Sequence, residues 1–255
     1  MTLSLVVIAK DEERDLPACL ASARGLVQEI VVVDSGSADR TAEVARAAGA
    51  KVLRREFTTY AEQKQFAVEA AAGEWILNLD ADERLTSELA DSIRRALQAP
   101  AADAFRLPFA VEFLGRRLRH GGLNGERHVR LFRRGAGRFT GGLLHEGVAL
   151  DGPVGDLPGA VLHRPYADLS EYLSKLDRYT TLAARKAHES GRRFRWYHHF
   201  LLPAEFWKRY LLQLGFLDGV PGLTWCALSA FYAWLKYAKL RELQTAAAER
   251  QEVSS

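Results

Sequence analysis

Residues 75–85 read WILNLDADERL, an apolar run of strand length that ends in Asp80, Asp82 and Glu83. A buried strand that carries so much negative charge to its tip calls for something positive there. Two carboxylates spaced Asp-x-Asp repel each other until a hard divalent cation joins them. Such an ion takes its remaining ligands readily from phosphate oxygens. The tip therefore predicts a diphosphate held through Mg²⁺ or Mn²⁺. The plainer alternative is a solvated acidic turn capping the next helix. A calcium loop is disfavoured, because Leu85 stands where an EF-hand needs glycine.

Outward from this stretch, strands and helices alternate. Leu3–Ala9 and residues 30–33, 52–53 and 75–79 read as strands. Helices are expected over 16–23, with Asp15 as N-cap and Pro17 in the first turn, over 41–48 closed by Gly49, over 60–72 stopped by Gly73, and over 88–97 after Thr86. Strands apolar on both faces and separated by helices predict a parallel sheet covered on each side. Ligands of such sheets bind beyond the carboxyl ends of the strands. That rule selects residues 10–12, residues 34–39 in VVVDSGSADRT, and residues 80–83. A carboxylate at Asp34 is placed to accept from a base N–H such as that of uracil, whereas Asp39 reads as a helix cap.

After residue 100 the texture changes. In AFRLPFAVEF, residues 104–113, apolar side chains alternate, the mark of a half-buried strand, and Pro108 suggests that it lies at a sheet edge. A Gly- and Arg-rich stretch over 115–142 contains a further expected strand, HVRLFR. It is followed by LLHEGV and VLHRPY. From residue 169 the pattern is helical. Phe206, Tyr210, Leu214 and Leu217 share one face, as do Trp225, Leu228, Tyr232 and Leu235, with Asp218, Gly219, Pro221 and Gly222 between the two helices. The expected organisation is a domain over 1–168, its first part (1–100) carrying the sheet and its second (101–168) a substrate-binding elaboration, and a C-terminal helical extension over 169–255.

The composition bounds these readings. The 255 residues are 48% apolar and 26% charged, with a formal net charge of +3, so the overall field gives no reason to expect nucleic acid as a partner. Cys19 and Cys226 are far apart and lack metal-ligand spacing, which argues against a disulfide framework or a zinc site and fits a reducing compartment. The opening, MTLSLVVIAKDEERD, has no basic leader and no small-residue cleavage site. The expectation is a cytoplasmic protein.

Three motifs in order, VVIAKDEERDLPACL, IVVVDSGSADRT and GEWILNLDADERL, resemble the nucleotide-binding half of a family 2 glycosyltransferase of GT-A fold. LLHEGV, LHRPY and GFLDGVPGL are similar to segments of its WaaE/KdtX-type lipopolysaccharide core glucosyltransferase subgroup. The resemblance implies an α/β, Rossmann-like, mostly parallel sheet with flanking helices plus the C-terminal helical extension, and it would make the two parts of residues 1–168 the nucleotide-binding half (1–100) and the acceptor-binding half (101–168) of a catalytic domain. It implies inverting transfer of a hexose, glucose in that subgroup, from a UDP-sugar to a glycan or lipid-linked acceptor, the inner core of lipopolysaccharide above all. By position, Ile8, Ala9 and Glu12 would line the uridine pocket and Asp34 would contact uracil. Asp80 would hold ribose or metal-bound diphosphate, Ala81 would lie in the nucleotide-sugar pocket, and Asp82 would be the main ligand to the ion. Lys64 would touch nucleotide or diphosphate, and His163 would add a metal or diphosphate contact. Asp11 stands where relatives commonly carry Asn, which puts a neutral amide contact there in doubt.

Inverting transfer needs a general base opposite the leaving group, worth roughly 10²–10⁴-fold in rate. The resemblance puts Glu146 of LLHEGV in that role, with His145 orienting it or binding acceptor, and with Glu83 or Asp156 as substitutes. Arg127, Arg130, Arg133 and Arg134 form a basic group suited to phosphate, Arg130 foremost, or else a solvated face. The C-terminal helices mix aromatic residues with Lys208, Arg209, Lys236, Lys239 and Arg241. They read either as an amphipathic hairpin resting on the inner-membrane surface or as a helical pair packed on the catalytic domain or on a second subunit in a homo-oligomer. The rival functions are transfer to another envelope glycan, nucleotidyl transfer, and a non-catalytic nucleotide-binding scaffold at the membrane.

Overall fold

A computed structural model describes residues 1–123, 125–141 and 146–253, without the side chains of Glu146 and of residues 247–253. The chain divides into two compact units, residues 1–110 with 125–164, and residues 111–124 with 165–255.

The first unit is built on a sheet. In chain order its elements are β1 (Leu3–Ala9), α1 (Leu16–Ser22), β2 (Glu29–Asp34), α2 (Thr41–Ala47), β3 (Lys51–Arg54), α3 (Tyr60–Ala70), β4 (Trp75–Asp80), β5 (Glu83–Leu85) and α4 (Ser87–Gln98). β6 (Ala104–Phe113) runs on into the second unit, where β7 (Arg116–Arg117) folds back on its end. The first unit then resumes with β8 (Arg127–Arg133), β9 (Gly137–Gly141), β10 (Glu146–Leu150), β11 (Val154–Asp156) and β12 (Val161–His163). Along the sheet the order is β3-β2-β1-β4-β8-β6-β12-β5, with β11 on β6 and with β9 and β10 as a separate antiparallel pair. The first four strands are parallel, and β8 joins β4 antiparallel.

Period-two alternation decides which helix each strand residue meets. Leu3, Leu5, Val7 and Ala9 of β1 pack with Leu16 and Leu20 of α1 and Leu89 and Ile93 of α4, while Val6 packs on the other face with Ala61, Ala67 and Val68 of α3. β4 follows the same rule. Trp75, Leu77 and Leu79 face the first layer and Ile76 faces α3. The buried Asn78 and then Asp80 continue the α3 side. Thr59 and Thr86 cap α3 and α4 through their hydroxyls, the latter accepting from the Leu89 N–H at 3.3 Å.

Three expectations change. β6 lies inside the sheet, between β8 and β12, so Pro108 does not mark an edge. Its lack of an N–H is accommodated beyond a bulge at Phe105/Arg106. Asp15 does not cap α1 through its side chain; the carboxylate instead accepts from Arg84 at 3.3 Å. The C-terminal break falls at residues 213–218, because Pro221 and Gly222 are tolerated within the first turn of the last helix.

The second unit contains α5 (Leu169–Glu189), α6 (Leu201–Trp207) and α7 (Gly219–Val253), with short 3₁₀ and π turns between α5 and α7. Phe113, Leu118, Tyr172 and Leu176 form its core, with Trp225, Leu228 and Tyr232 packed on them. Asp218 is buried at the break. It accepts from the backbone N–H groups of Arg119 and His120, both at 2.8 Å, and lies 3.2 Å from His120 Nδ1.

Candidate active site

The carboxyl ends of β2, β1 and β4 lie side by side. In register, Ala9 pairs with Asp34 and Ile8 with Asp80, so the two residues flank β1 on one rim, and the alternation of their strands sets Asp34 on the α1 side and Asp80 on the α3 side. Two strand spacings separate them by about 10 Å. Ile8 is half-buried, Ala9 is buried, and Glu12 follows half-buried in the loop.

The loops at this rim are held by short bonds. Asp34 Oδ1 accepts from the Ser37 N–H at 3.0 Å and from its hydroxyl at 2.5 Å. Asp11 sits at φ +57°, the left-handed region that Asn and Asp tolerate best among residues with a side chain. Its N–H donates to Ser37 Oγ at 3.0 Å and its Oδ1 accepts from the Ala38 N–H at 2.8 Å. An Asn in this place would offer the same acceptor oxygen to the Ala38 N–H. Thr41 Oγ1 accepts from the Glu12 N–H at 2.7 Å, and Asp39 does so from the N–H groups of Glu13 and Thr41 at 3.0 and 2.9 Å. The N-cap of α2 is Arg40, without a side-chain cap bond, so Asp39 is not the cap the sequence suggested; one residue earlier, it ties the start of the helix to the loop after β1.

At the tip of β4 the two oxygens of Asp80 meet different cations. Lys64 Nζ lies 2.7 Å from Oδ1 and Arg130 Nη2 2.8 Å from Oδ2. Lys64 is only 1% exposed because it lies on the buried face of α3 with Ala61, Ala67 and Val68. Arg130 lies one residue beyond the last β4–β8 pair, Leu77 with Leu131, and its Nη1 donates to Asn78 Oδ1 at 2.9 Å. Its Nη2 also donates to Glu83 Oε1 at 2.6 Å, and its guanidinium stands 5.3 Å over the Phe109 ring. Glu83 Oε2 accepts from the Asp80 N–H at 2.9 Å, which ties the acidic turn back onto its strand. The β4 tip is therefore a network of two acids and two bases in which Lys64, Arg130 and Glu83 are largely buried and Asp80 stays one-third exposed at 33%.

The charges respond to these surroundings. Burial alone would raise the Asp80 carboxyl, but Arg130 and Lys64 outweigh it and hold it well below the usual carboxylate range. Burial pushes the Glu83 carboxyl up to about 7, and the Asp80 charge adds to the rise against the pull of Arg130. Cys19, whose Sγ approaches the Asp80 carbonyl at 3.5 Å, is raised well above its ordinary value by burial, with the carboxylate of Glu83 adding to it. This thiol is protonated and unreactive.

Asp82 takes a different partner. β12 pairs antiparallel with β5, His163 opposite Glu83, and this brings His163 Nε2 to 3.1 Å from Asp82 Oδ2. Burial works to lower the imidazole pKa, but the hydrogen bond and charge of Asp82 win and raise it. Ala81, between the two aspartates, is buried. The structure thus gathers Asp80, Asp82, Lys64, Arg130 and His163 at one strand end and sets Asp34 across β1 from it. Arg127 and Arg133 lie elsewhere, paired with Asp156 at 3.3 Å and Asp103 at 3.1 Å. Asp156 is also bonded to Arg106. His145 lies outside the described residues, as does the side chain of Glu146, whose backbone begins β10 opposite Gly141. Asn78 and the structural part played by Glu83 were not foreseen. An amide inside WILNLD and the alternation of Glu83 with Leu85 were the available signals.

The donor set suits a divalent ion. Asp82 and His163 offer an oxygen and a nitrogen of the kind such an ion takes, and to hold one they would give up the 3.1 Å hydrogen bond that now joins them. Among the described residues there is no cluster of three or more acidic, histidine or cysteine side chains fit to hold a metal. Asp82 and His163 would therefore share the ion with ligand oxygens.

A mostly parallel sheet of this order, flanked by helices and with acidic side chains at the carboxyl end of β4, defines an α/β protein of Rossmann-like class. The chain belongs to Glycosyl transferase family 2, whose pattern it matches over residues 4–146. It is thus a glycosyltransferase of GT-A fold, which removes nucleotidyl transfer from the rival functions. The lipopolysaccharide core biosynthesis glycosyltransferase LpsC of Rhizobium meliloti (strain 1021) is 33% identical over 249 residues, covering 94% of this chain and 92% of that protein. An uncharacterized glycosyltransferase of Rickettsia typhi is 27% identical over 257 residues, covering 94% of this chain and 87% of its own. Among solved structures, glucosyl-3-phosphoglycerate synthase from Mycobacterium tuberculosis, in complex with Mn²⁺, UDP and glucosyl-3-phosphoglycerate, matches at 25% identity. That match covers 45% of this chain and 44% of the other, with a TM-score of 0.37.

Proposed function

We propose that the chain transfers a hexose, glucose in the first instance, from a UDP-sugar to the inner core of lipopolysaccharide, with inversion at the anomeric carbon and with Mg²⁺ or Mn²⁺ bound. The observation that carries this reading is the shared rim on which Asp34 and Asp80 flank β1 while Asp82 and His163 stand together at the next turn. The acceptor class rests on the end-to-end similarity to LpsC.

Each residue then has a task. Asp34 accepts from the uracil N–H in the pocket lined by Ile8, Ala9 and Glu12. Asp80, fixed by Lys64 and Arg130, meets ribose or diphosphate. Asp82 and His163 hold the ion, which when bound offsets charge growing on the departing diphosphate. In the transfer itself the acceptor oxygen bonds to the anomeric carbon as the bond from that carbon to UDP breaks. The electron pair leaves with UDP, and the acceptor proton passes to Glu146.

UDP release from a panel of nucleotide sugars, with truncated core acceptors and with or without Mn²⁺, tests the reading. The Asp82→Ala variant is expected to fold, to lose Mn²⁺-dependent UDP binding and to lose turnover. Glu146→Gln is expected to bind UDP normally and lose at least about 10²-fold in kcat. Full activity in chelator would remove the metal from the reaction. UDP binding with no release from any donor would instead identify a scaffold, and release only with other glycans would change the acceptor.

A further inference from the structure

The second unit carries a surface to which the proposed reaction assigns no part. Twelve of the twenty large apolar side chains that stand exposed among the described residues fall within residues 196–223. Trp196, Leu212 and Val220 are 74%, 81% and 73% exposed, and Phe200 and Trp207 stand out beside them. Apolar surface in water costs about 25 cal/mol per Å², so a concentration of this kind points to a covering surface.

Charge and backbone identify the cover. Arg192, Arg193 and Arg195 are exposed immediately before Trp196. Within residues 192–217 the single acidic side chain is Glu205, and Lys208 at 3.1 Å and Arg209 at 3.5 Å already answer it. Indole and phenyl rings beside excess cations match a membrane interface, where the rings sit at headgroup depth and the cations meet lipid phosphates. No single described helix is long and apolar enough to cross a bilayer, although Trp196–Leu212 and Gly215–Ala246 together have the length and composition of a span bent by 73°. The bend argues for the surface. It is fastened by polar groups, with the Gly121 N–H donating to the Gln213 carbonyl at 2.8 Å and Arg209 Nη1 to the Gly121 carbonyl at 3.0 Å. Asp218 is tied there by Arg119 and His120. A crossing would carry these groups into hydrocarbon, where polar backbone is costly.

We infer that residues 192–223 form an interfacial element that seats the protein on the surface of an anionic phospholipid bilayer without crossing it.

The full chain should float with phosphatidylcholine vesicles containing phosphatidylglycerol and do so poorly with phosphatidylcholine alone. A Trp196→Ser, Trp207→Ser, Leu212→Ser triple variant alters exposed positions only. It should bind the anionic vesicles at least about ten-fold more weakly, with circular dichroism and UDP binding unchanged. An Arg192→Glu, Arg193→Glu variant should lose the preference for phosphatidylglycerol. Lipids brominated near the headgroup should quench tryptophan fluorescence more than lipids brominated at the chain end. Equal flotation of wild type and triple variant would overturn the proposal. So would deepest quenching at the bilayer centre, which means a crossing, or a dimer that the triple variant dissolves without any vesicle binding, which means a second copy is the cover. None of these readouts depends on sugar transfer, so the vesicle result and the transferase reading stand or fall separately.

Discussion

Arg130 is the residue on which the acidic turn depends, because one guanidinium serves Asn78, Asp80 and Glu83 at once. Replacing one member of a buried ion pair leaves the others uncompensated, at a cost of about 3–5 kcal/mol. Arg130→Met should lower the unfolding free energy by that amount in urea, and Arg130→Lys should recover only part of it, since an ammonium cannot span three acceptors as a fork does. A loss below about 1 kcal/mol for Arg130→Met would show that the network contributes little. Asp11 behaves oppositely. Asn keeps both the left-handed backbone and the acceptor, so Asp11→Asn should change stability by less than about 0.5 kcal/mol, whereas Asp11→Val should cost more than about 1 kcal/mol. Single residues were unevenly legible. Asp34, Asp80 and Asp82 could be picked from sequence because a strand end is their natural place. The burial of Lys64 went unread, although its spacing from Ala61, Ala67 and Val68 set it on the inner side of its helix. A charged name outweighed its position.

At the level of elements, local pattern located the first four strands to within a residue or two, because each is a continuous apolar run between helices. The later strands were harder. β5 and β12 are three residues each, and only their pairing brings His163 to Asp82. No local period announces a partner 81 residues away. The break before α7 was legible as a break but misplaced, since Pro is welcome in a first helical turn. Its anchor makes a pH prediction. Burial would raise the Asp218 carboxyl, yet the backbone N–H groups of Arg119 and His120 lower it below its ordinary value of 3.8. A depressed carboxyl contributes stability that is complete above the unfolded pKa and is lost as pH falls through the folded one. Wild-type thermal stability should therefore fall on acidification from about pH 5 towards pH 3 more steeply than that of Asp218→Asn, which is expected to be less stable at pH 7. Parallel slopes would remove Asp218 as the source.

For the whole molecule, the division into two units makes ligand effects separable. The rim residues lie in residues 1–110 and 125–164, the exposed aromatic stretch in the other unit. UDP with Mn²⁺ at about one hundred times its dissociation constant should stabilise the first unit by about 2.7 kcal/mol. Calorimetry should show that gain undiminished in the Trp196→Ser, Trp207→Ser, Leu212→Ser variant and absent in Asp82→Ala. A gain that disappears with the surface variant would show that the two units do not respond independently. This level was the least legible in the sequence, because the second unit borrows residues 111–124 from the middle of the chain, and that borrowing leaves no mark in composition.

The pairing of Ala9 with Asp34 and of Ile8 with Asp80 turns β1 into a measuring stick. Its two neighbours carry Asp34 and Asp80 to one rim, and the hydrogen-bonded register of three strands keeps the two positions a fixed distance apart. If, as proposed, one end meets a base and the other a diphosphate, UDP should bind more tightly than UMP, and equal affinity for the two would show that the spacing selects nothing.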